Sequence, residues 1–297
     1  MLIALPYPTM TFLPMLVAEE KGFFAGEGVR AYCVQVQTYG GQTLARLVED
    51  GEIGFLTSLT NAMEAVLSKG QAIKFLCATT LTTFPCVARP EIRSIADLKG
   101  KKVMSGGGRS NTDLRFLCFR YGLRPGIDVD IVQGDSAGRA KAFEDPTIVA
   151  VFARSQFLYW GTKAGFQPLY YPEPGMGWYE GGLAAGVKLI SQHPDFVQKV
   201  VSAVVRATAF IKNNEKEAVD VALKRIPHLD RTEAEGNYKI LREGFAGDLE
   251  PSVIDYMATA VGTIKSTATR QIKFEEVANL SFLQEAHRQL KFRPVSI

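Results

Sequence analysis

The segment Ser105–Thr112 holds the densest set of groups able to grip a ligand. It follows Lys101–Met104, which reads as a strand, and it opens a helical stretch. Backbone N–H groups at a helix N-terminus point outward unpaired, and the helix dipole favours negative charge there. Gly106, Gly107 and Gly108 let an anion approach the backbone closely. Ser110, Asn111 and Thr112 add side-chain donors, and Arg109 adds a planar cation suited to carboxylate or sulfonate oxygens. The chemistry indicated is capture of a small anion, although the same glycines also suit a turn that serves geometry alone. As a dinucleotide fingerprint, Gly106-x-Gly108-x-x-Asn111 fails at its third glycine, even with Asp135 roughly where a ribose-binding acid would stand. The P-loop pattern GxxxxGK[ST] is absent.

Other polar and aromatic groups sit where predicted strands end. The turn Pro6–Phe12 offers Tyr7 and Phe12 for stacking on a planar ligand, with Thr9 between them. Phe12 equally suits the core face of the first helix. Ser58, Thr60 and Asn61 follow the third strand, with groups suited to oxygen recognition or to capping the next helix. Thr82 belongs to a threonine-rich strand end, 79–83, which β-propensity alone also explains. Arg154 follows the strand 148–153 and reads as a carboxylate clamp or a hinge ion pair. Glu173, Trp178, Tyr179 and Glu180 precede a chain crossing; aromatic rings there suit one wall of a site, and Glu173 would suit an amine or ring N–H.

Several chemistries are excluded. GxSxG is missing, so no nucleophile elbow is present. The three histidines, His193, His228 and His287, lie far apart. The four cysteines form no CxxC and read as reduced, buried thiols; Cys77 and Cys86 suit pairing across a turn, but nothing requires it. Cys86 is the thiol nearest a predicted cleft, with Arg89 close in sequence. The net charge of +3 leaves no polyanion footprint, so nucleic acid is not an expected partner. No apolar stretch approaches the roughly 20 residues of a membrane span. The start lacks a basic n-region, and its apolar run is shorter than the ~7–15 residues of a secretory leader. The chain is then either cytoplasmic or a mature form whose leader has been removed.

The elements that position these groups alternate. Strands are predicted at Leu2–Leu5, Val29–Val36, Ile53–Leu56 and Ile73–Thr80, with helices between them over Phe12–Glu20, Gln42–Glu49 and Asn61–Ser68. A second unit follows: strand 101–104, a helix with Leu114, Leu117, Cys118 and Tyr121 at i, i+3, i+4 and i+7, strand 129–132, helix 137–143 and strand 148–152. Ser110 is expected to cap the first of these helices, with Asp113 in the capping-box position. Gly161–Gly182, rich in Gly, Pro and aromatics, reads as loop and connector. From Pro194 onward the chain reads as helical, at 194–211, 215–225, 231–243, 251–264 and 275–290. Strand–helix alternation implies βαβ units and parallel sheet. The fold class is α/β, with a ligand cleft between two units.

Four segments, spread over roughly residues 2 to 215, are similar to the NMT1/THI5-like and SsuA-like substrate-binding proteins of the nitrate, sulfonate, taurine and thiamine-precursor group. They are Ala18-Glu-Glu-Lys-Gly22-Phe-Phe-Ala-Gly-Glu-Gly28-Val, Gly51-Glu-Ile-Gly (with Gly54 where Asp is usual), Ile95-Ala-Asp97-Leu98-Lys99-Gly100-Lys101-Lys102-Val103, and His193-Pro194-Asp195-Phe-Val-Gln-Lys-Val-Val. The resemblance implies a type II periplasmic-binding fold with a helical C-terminal tail packed on the first lobe. Lobe 1 is expected at 1–89 plus 183–297 and lobe 2 at 90–182, with crossings near Ala88–Ile95 and Glu180–Val187. It also implies a ligand gripped at the glycine loop and at the turn Pro6–Phe12. The expected site is therefore Tyr7, Thr9, Phe12, Ser58, Thr60, Asn61, Thr82, Gly107, Gly108, Arg109, Ser110, Asn111, Arg154, Glu173 and Tyr179. The implied function is capture of a sulfonate, aromatic carboxylate or pyrimidine and delivery to an ABC permease and its ATPase. The binder would be a monomer without cofactor, outside the cytoplasm if a leader was removed. The family also holds enzymes, among them pyrimidine synthases, whose CCCFC-type motif is missing here, and a desulfinase with a Cys nucleophile. A soluble ligand sensor is the third reading.

Overall fold

The computed structural model describes residues 1–6, 8–36, 41–69, 72–106, 109–134, 136–153, 157–265 and 272–290. The ten strands described are β1 (Leu2–Leu5), β2 (Tyr32–Gln35), β3 (Phe55–Ser58), β4 (Ile73–Thr82), β5 (Cys86–Ala88), β6 (Lys102–Ser105), β7 (Asp130–Gln133), β8 (Ile148–Phe152), β9 (Gln167–Leu169) and β10 (Trp178–Gly186). The helices are α1 (Leu13–Glu20), α2 (Phe23–Gly26), α3 (Gly41–Glu49), α4 (Leu59–Lys69), α5 (Arg109–Arg120), α6 (Ser136–Ala142), α7 (Leu158–Lys163), α8 (Val187–Gln192), α9 (Pro194–Asn213), α10 (Glu215–Arg225), α11 (Arg231–Leu241), α12 (Pro251–Lys265), α13 (Phe274–Val277) and α14 (Ser281–Leu290).

Two five-stranded sheets result, ordered β2-β1-β3-β10-β4 and β7-β6-β8-β5-β9. β1 runs parallel to β2 and β3, and β6 runs parallel to β7 and β8, as the βαβ reading predicts. The fully parallel expectation needs correction. β10 is antiparallel to β3 and β4, and β5 is antiparallel to β8 and β9. Each sheet thus receives its fourth strand from the chain arriving from the other sheet. The chain passes between sheets at 83–85 and 170–177, ahead of both expected crossings, because Cys86–Ala88 and Trp178–Gly186 already pair on the far side.

β10 is the chief departure from the sequence reading, which made Gly161–Gly182 a connector. That segment holds the end of α7, all of β9 and the first half of β10. β10 is buried along its whole length. Its glycines are there because no side chain fits. A Cβ on Gly182 would lie 2.5 Å from the Cys77 carbonyl oxygen and 2.6 Å from Leu59 Cδ1. A Cβ on Gly181 would lie 2.7 Å from Thr79 Oγ1 and 3.0 Å from the Thr11 carbonyl oxygen. These glycines, which read as flexibility, are close-approach positions in a central strand.

The helical half matches its pattern. Pro194 starts α9, and Val197, Val200, Val201, Val204 and Ile211 are buried. The predicted 275–290 helix is two pieces, α13 and α14. Ala278 forms a parallel bridge with Phe75, and the Asn279 N–H donates to the Phe75 carbonyl at 2.8 Å, so β4 takes this segment out of the helix. α9 packs on α1 and β4, and α14 packs on α9. α11 and α12 also reach helices beside the second sheet, α7 and α5 respectively. At the first contact a Cβ on Gly236 would fall 2.0 Å from the Tyr159 ring, so only glycine admits Tyr159 there.

Overpacking a close backbone contact costs about 1–3 kcal/mol. Gly182→Ala should lower stability in urea denaturation by that amount with an unchanged m-value. An unaffected midpoint would remove the close-approach account of β10.

Candidate functional site

β10 loses register with β4 between Tyr179 and Gly181, and this irregularity re-aims Glu180. The Glu180 carboxylate accepts from Arg109 Nη1 at 2.5 Å and from the Thr11 and Thr82 hydroxyls at 3.2 Å each. Arg109 Nη2 donates to Asp113 Oδ2 at 3.5 Å and to the Tyr171 hydroxyl at 3.3 Å. Asp113 also accepts from the Tyr256 hydroxyl at 2.7 Å and from the Tyr171 hydroxyl. The guanidinium lies over Trp178, 5.4 Å from its ring centroid, and Trp178 Nε1 donates to Thr60 Oγ1 at 2.7 Å.

This network joins the two halves of the fold. Thr11 lies in the turn after β1, Thr60 in α4, Thr82 in β4, Trp178 and Glu180 in β10, and Tyr256 in α12. Arg109 and Asp113 lie on α5, one turn apart, and Tyr171 lies in the crossing segment. Ser110 does not cap α5. The helix starts at Arg109, two residues before the Asn111 that a Ser110 cap would require, and Asp113 faces Arg109 and the tyrosines instead.

The charges are out of water: Arg109, Asp113 and Glu180 are 3%, 0% and 5% exposed. Burial opposes the charge on Arg109, but Glu180, Tyr171 and Asp113 outweigh it and hold the guanidinium firmly protonated. Burial pushes Asp113 above the usual carboxylate range, against the pull of Arg109 and both tyrosine hydroxyls. Burial, with Asp113 adding to it, pushes the phenols of Tyr171 and Tyr256 well up, so both remain donors. The same two causes push the Cys86 thiol well up, which is the opposite of what a nucleophile needs. Burial also pushes Cys77 up to about 12 and Cys118 to about 11. All four cysteines are free; Cys77, Cys86 and Cys118 are buried as expected, while Cys33 is half-buried.

Among the described residues, five buried polar atoms lack a partner: Thr9 Oγ1, Thr79 Oγ1, Arg109 Nε, Ser110 Oγ and Asn111 Oδ1. Three of them lie in the first turn of α5. A buried polar group left unpaired costs about 1–3 kcal/mol, so this cluster makes the first turn of α5 a candidate site. An open cavity of about 890 Å³, lined in part by Phe84, Tyr170, Lys212 and Asp248, lies elsewhere and shares only Thr82 with the network. None of the five unpaired atoms belongs to its lining residues, so size does not decide the site here.

Of the expected site residues, Arg109, Thr60 and Thr82 meet in the network, and Thr9, Ser110 and Asn111 supply three of the unpaired atoms. Ser58 and Asn61 line a pocket of about 10 Å³ with Pro6, room for about one water. The Asn61 N–H donates to Ser58 Oγ at 3.4 Å, a local capping contact. Phe12 belongs to the hydrophobic core. Tyr179 turns away, its hydroxyl accepting from the Glu250 N–H at 2.9 Å. Glu173 is at the surface, paired with Arg120 at 2.6 Å. Tyr7, Gly107, Gly108 and Arg154, and also Asp135, lie outside the described residues. Thr11, Asp113, Tyr171 and Tyr256 were not singled out as ligand groups. The i, i+4 spacing of Arg109 and Asp113 is the sequence signal for the first pairing; the tyrosines have none. Among the described residues no cluster of ligating side chains suits a metal ion, and no helix is long and apolar enough to cross a membrane.

Residues 9–218 match the family described as NMT1/THI5 like. The riboflavin-binding protein RibY of Chloroflexus aurantiacus is 24% identical over 249 residues, 81% of this chain and 70% of that protein. A putative periplasmic sulfonate-binding protein, SsuA of Methylobacillus flagellatus, superimposes with a TM-score of 0.72 at 18% identity, covering 98% of this chain and 94% of that one. The desulfurization enzyme DSZB superimposes with a TM-score of 0.64 at 12% identity, covering 97% and 99%. The architecture is therefore the one seen in periplasmic binding proteins, and an enzyme uses it too.

Removing one partner of a buried charge network costs about 3–5 kcal/mol. Asp113→Ala should lose about that much in urea denaturation. Adding Tyr256→Phe to it should cost far less than Tyr256→Phe costs alone, since the hydroxyl has already lost its acceptor. Simple additivity of the two losses would show that the hydroxyl does not act through Asp113.

Proposed function

The chain belongs to the NMT1/THI5-like family, and on that premise we propose that it is the solute-binding component of an ABC importer. Each sheet forms the core of one lobe, and the segments at 83–85 and 170–177 form the hinge. The protein works as a monomer outside the cytoplasmic membrane and presents its closed form to a permease and its ATPase.

The observation that supports this reading most is the group of unpaired polar atoms in the first turn of α5, beside a charged network that spans both sheets. A solute entering there would meet the Ser110 hydroxyl, the Asn111 amide, Thr9, and the N-terminal dipole of α5. Contacts made only when the lobes are together shift the open–closed equilibrium toward closure. The sequence left open an anionic or a planar organic solute. The state of Arg109 favours the planar kind, because its guanidinium already has two carboxylate partners. Flavins, pyrimidines and other heteroaromatic molecules are therefore the first to try, ahead of sulfonates and aromatic carboxylates.

The likeness to a desulfurization enzyme makes catalysis the second reading. The high proton affinity of the buried Cys86 thiol weighs against it. If Cys86 is structural, Cys86→Ser should bind solute within about twofold of wild type, and a thiol reagent at pH 8 should not modify Cys86 until the protein unfolds.

A thermal-shift screen with heteroaromatics, sulfonates, nitrate and aromatic acids tests the binding reading. A solute at 100 times its dissociation constant adds about 2.7 kcal/mol, a rise of a few degrees for a chain of this length. A hit in one class, with the solute recovered unchanged, is the expected result; turnover of the solute would make the protein an enzyme. Ser110→Ala and Asn111→Ala should each weaken the hit about 2- to 10-fold, the range of one neutral hydrogen bond. Full affinity in both variants would move the site away from α5.

A further inference from the structure

We propose that Glu180 is a built-in counter-anion: it fills the seat on Arg109 that a solute's oxyanion would take, and so restricts the cleft to solutes whose recognition edge is uncharged. The inference rests on the reading of this cleft as a solute site and names the class of solute.

The seat is made for a carboxylate. Three donors from separate elements converge on Glu180: Arg109 Nη1 from α5, the Thr11 hydroxyl from the turn after β1, and the Thr82 hydroxyl from β4. The irregular register of β10 aims the side chain at them, and Gly181 lets the strand lie close enough to Thr11 for the contact. Arg109 Nη2 is turned toward Asp113 and the Tyr171 hydroxyl. Of the guanidinium nitrogens, only Nε has no partner. A planar guanidinium grips an oxyanion by two parallel N–H donors, and that grip is not on offer here.

Charge points the same way. The network holds one cation and two carboxylates in a dry setting. A third anion placed against Arg109 would face both carboxylates at close range, with little solvent screening. The groups left unpaired beside Arg109 in the first turn of α5 are neutral, the Ser110 hydroxyl and the Asn111 amide oxygen, as are the unpaired Thr9 and Thr79 hydroxyls. Such a set suits the N–H and C=O edge of a neutral heterocycle, and leaves a sulfonate or carboxylate without a counter-charge.

The test is chemical rescue. Wild type, Glu180→Gln and Glu180→Ala are purified, and melting temperature and binding heat are followed against sodium acetate and sodium methanesulfonate, with sodium chloride at equal ionic strength as control. Wild type should respond to the two anions no more than to chloride. Glu180→Ala should melt lower and then regain several degrees, saturably, as an external anion refills the seat. Glu180→Gln keeps the shape without the charge, and should bind the anions at least tenfold more tightly than wild type does. A wild type that binds acetate or methanesulfonate as well as its variants do would overturn the proposal. So would a folded Glu180→Ala protein that neither anion stabilises beyond chloride. If Glu180→Ala does not fold, the gain or its absence in Glu180→Gln decides. The solute-binding reading fails separately: rescue of the variants together with a wild type that binds nothing in the solute screen would leave the counter-anion standing without a transport role.

Discussion

A guanidinium buried to 3% exposure sets the terms for this fold. Arg109 stands at the start of α5, and an isolated charge there would be costly to desolvate. The chain answers from both halves at once. Asp113 comes from the same helix, Glu180 from β10, an inner strand of the other sheet, and Tyr171 from the crossing between them. Tyr256, on α12, then completes the shell of Asp113. These partners depend on one another, because Asp113, Glu180 and Tyr256 are buried, Tyr171 is half-buried, and a buried polar group without its partner is costly.

Strand exchange makes that convergence possible. Each sheet has four strands running one way and one reversed, and the reversed strand, β10 or β5, arrives from the opposite sheet. β10 therefore enters the first sheet beside β4 while its N-terminal end is still close to α5. Its glycines let it run under α4 and the turn after β1, so Glu180 reaches Thr11, Thr82 and Arg109 together. The crossing segments, β10 and the charged network are one construction. The helices α11 and α12 flank it, holding Tyr159 of α7 and Asp113 of α5 from the side of the first sheet.

On the proposed function, the most conspicuous cation of the candidate site, Arg109, has its partners before any solute arrives. In a binding protein, a cation with free donors would attract many oxyanions. One matched to an internal carboxylate leaves discrimination to neutral donors and acceptors, which reject a solute that leaves them unpaired. The Ser110 hydroxyl and the Asn111 amide in the first turn of α5 are of that kind.

Local pattern was enough for much of this. The apolar pattern located β1, β8, α9 and α10 within a residue or so, and the polar groups singled out at strand ends include Arg109, Thr60 and Thr82, which the structure brings into one network. The reading failed where long-range contact overrides local signal. Glycines at 181 and 182 look like a loop, and only the position of Cys77 and Leu59 against them makes them strand. Phe12 and Tyr179 look like ligand walls, yet the core and Glu250 claim them. Composition, periodicity and four family-like segments in order were sufficient by themselves to determine the class of fold and its kinship. Tertiary structure alone decided whether Arg109 is free or paired. A charge is read from one residue, whereas its compensation depends on groups 71 and 62 positions away in the chain, brought within hydrogen-bond reach only when both sheets are in place.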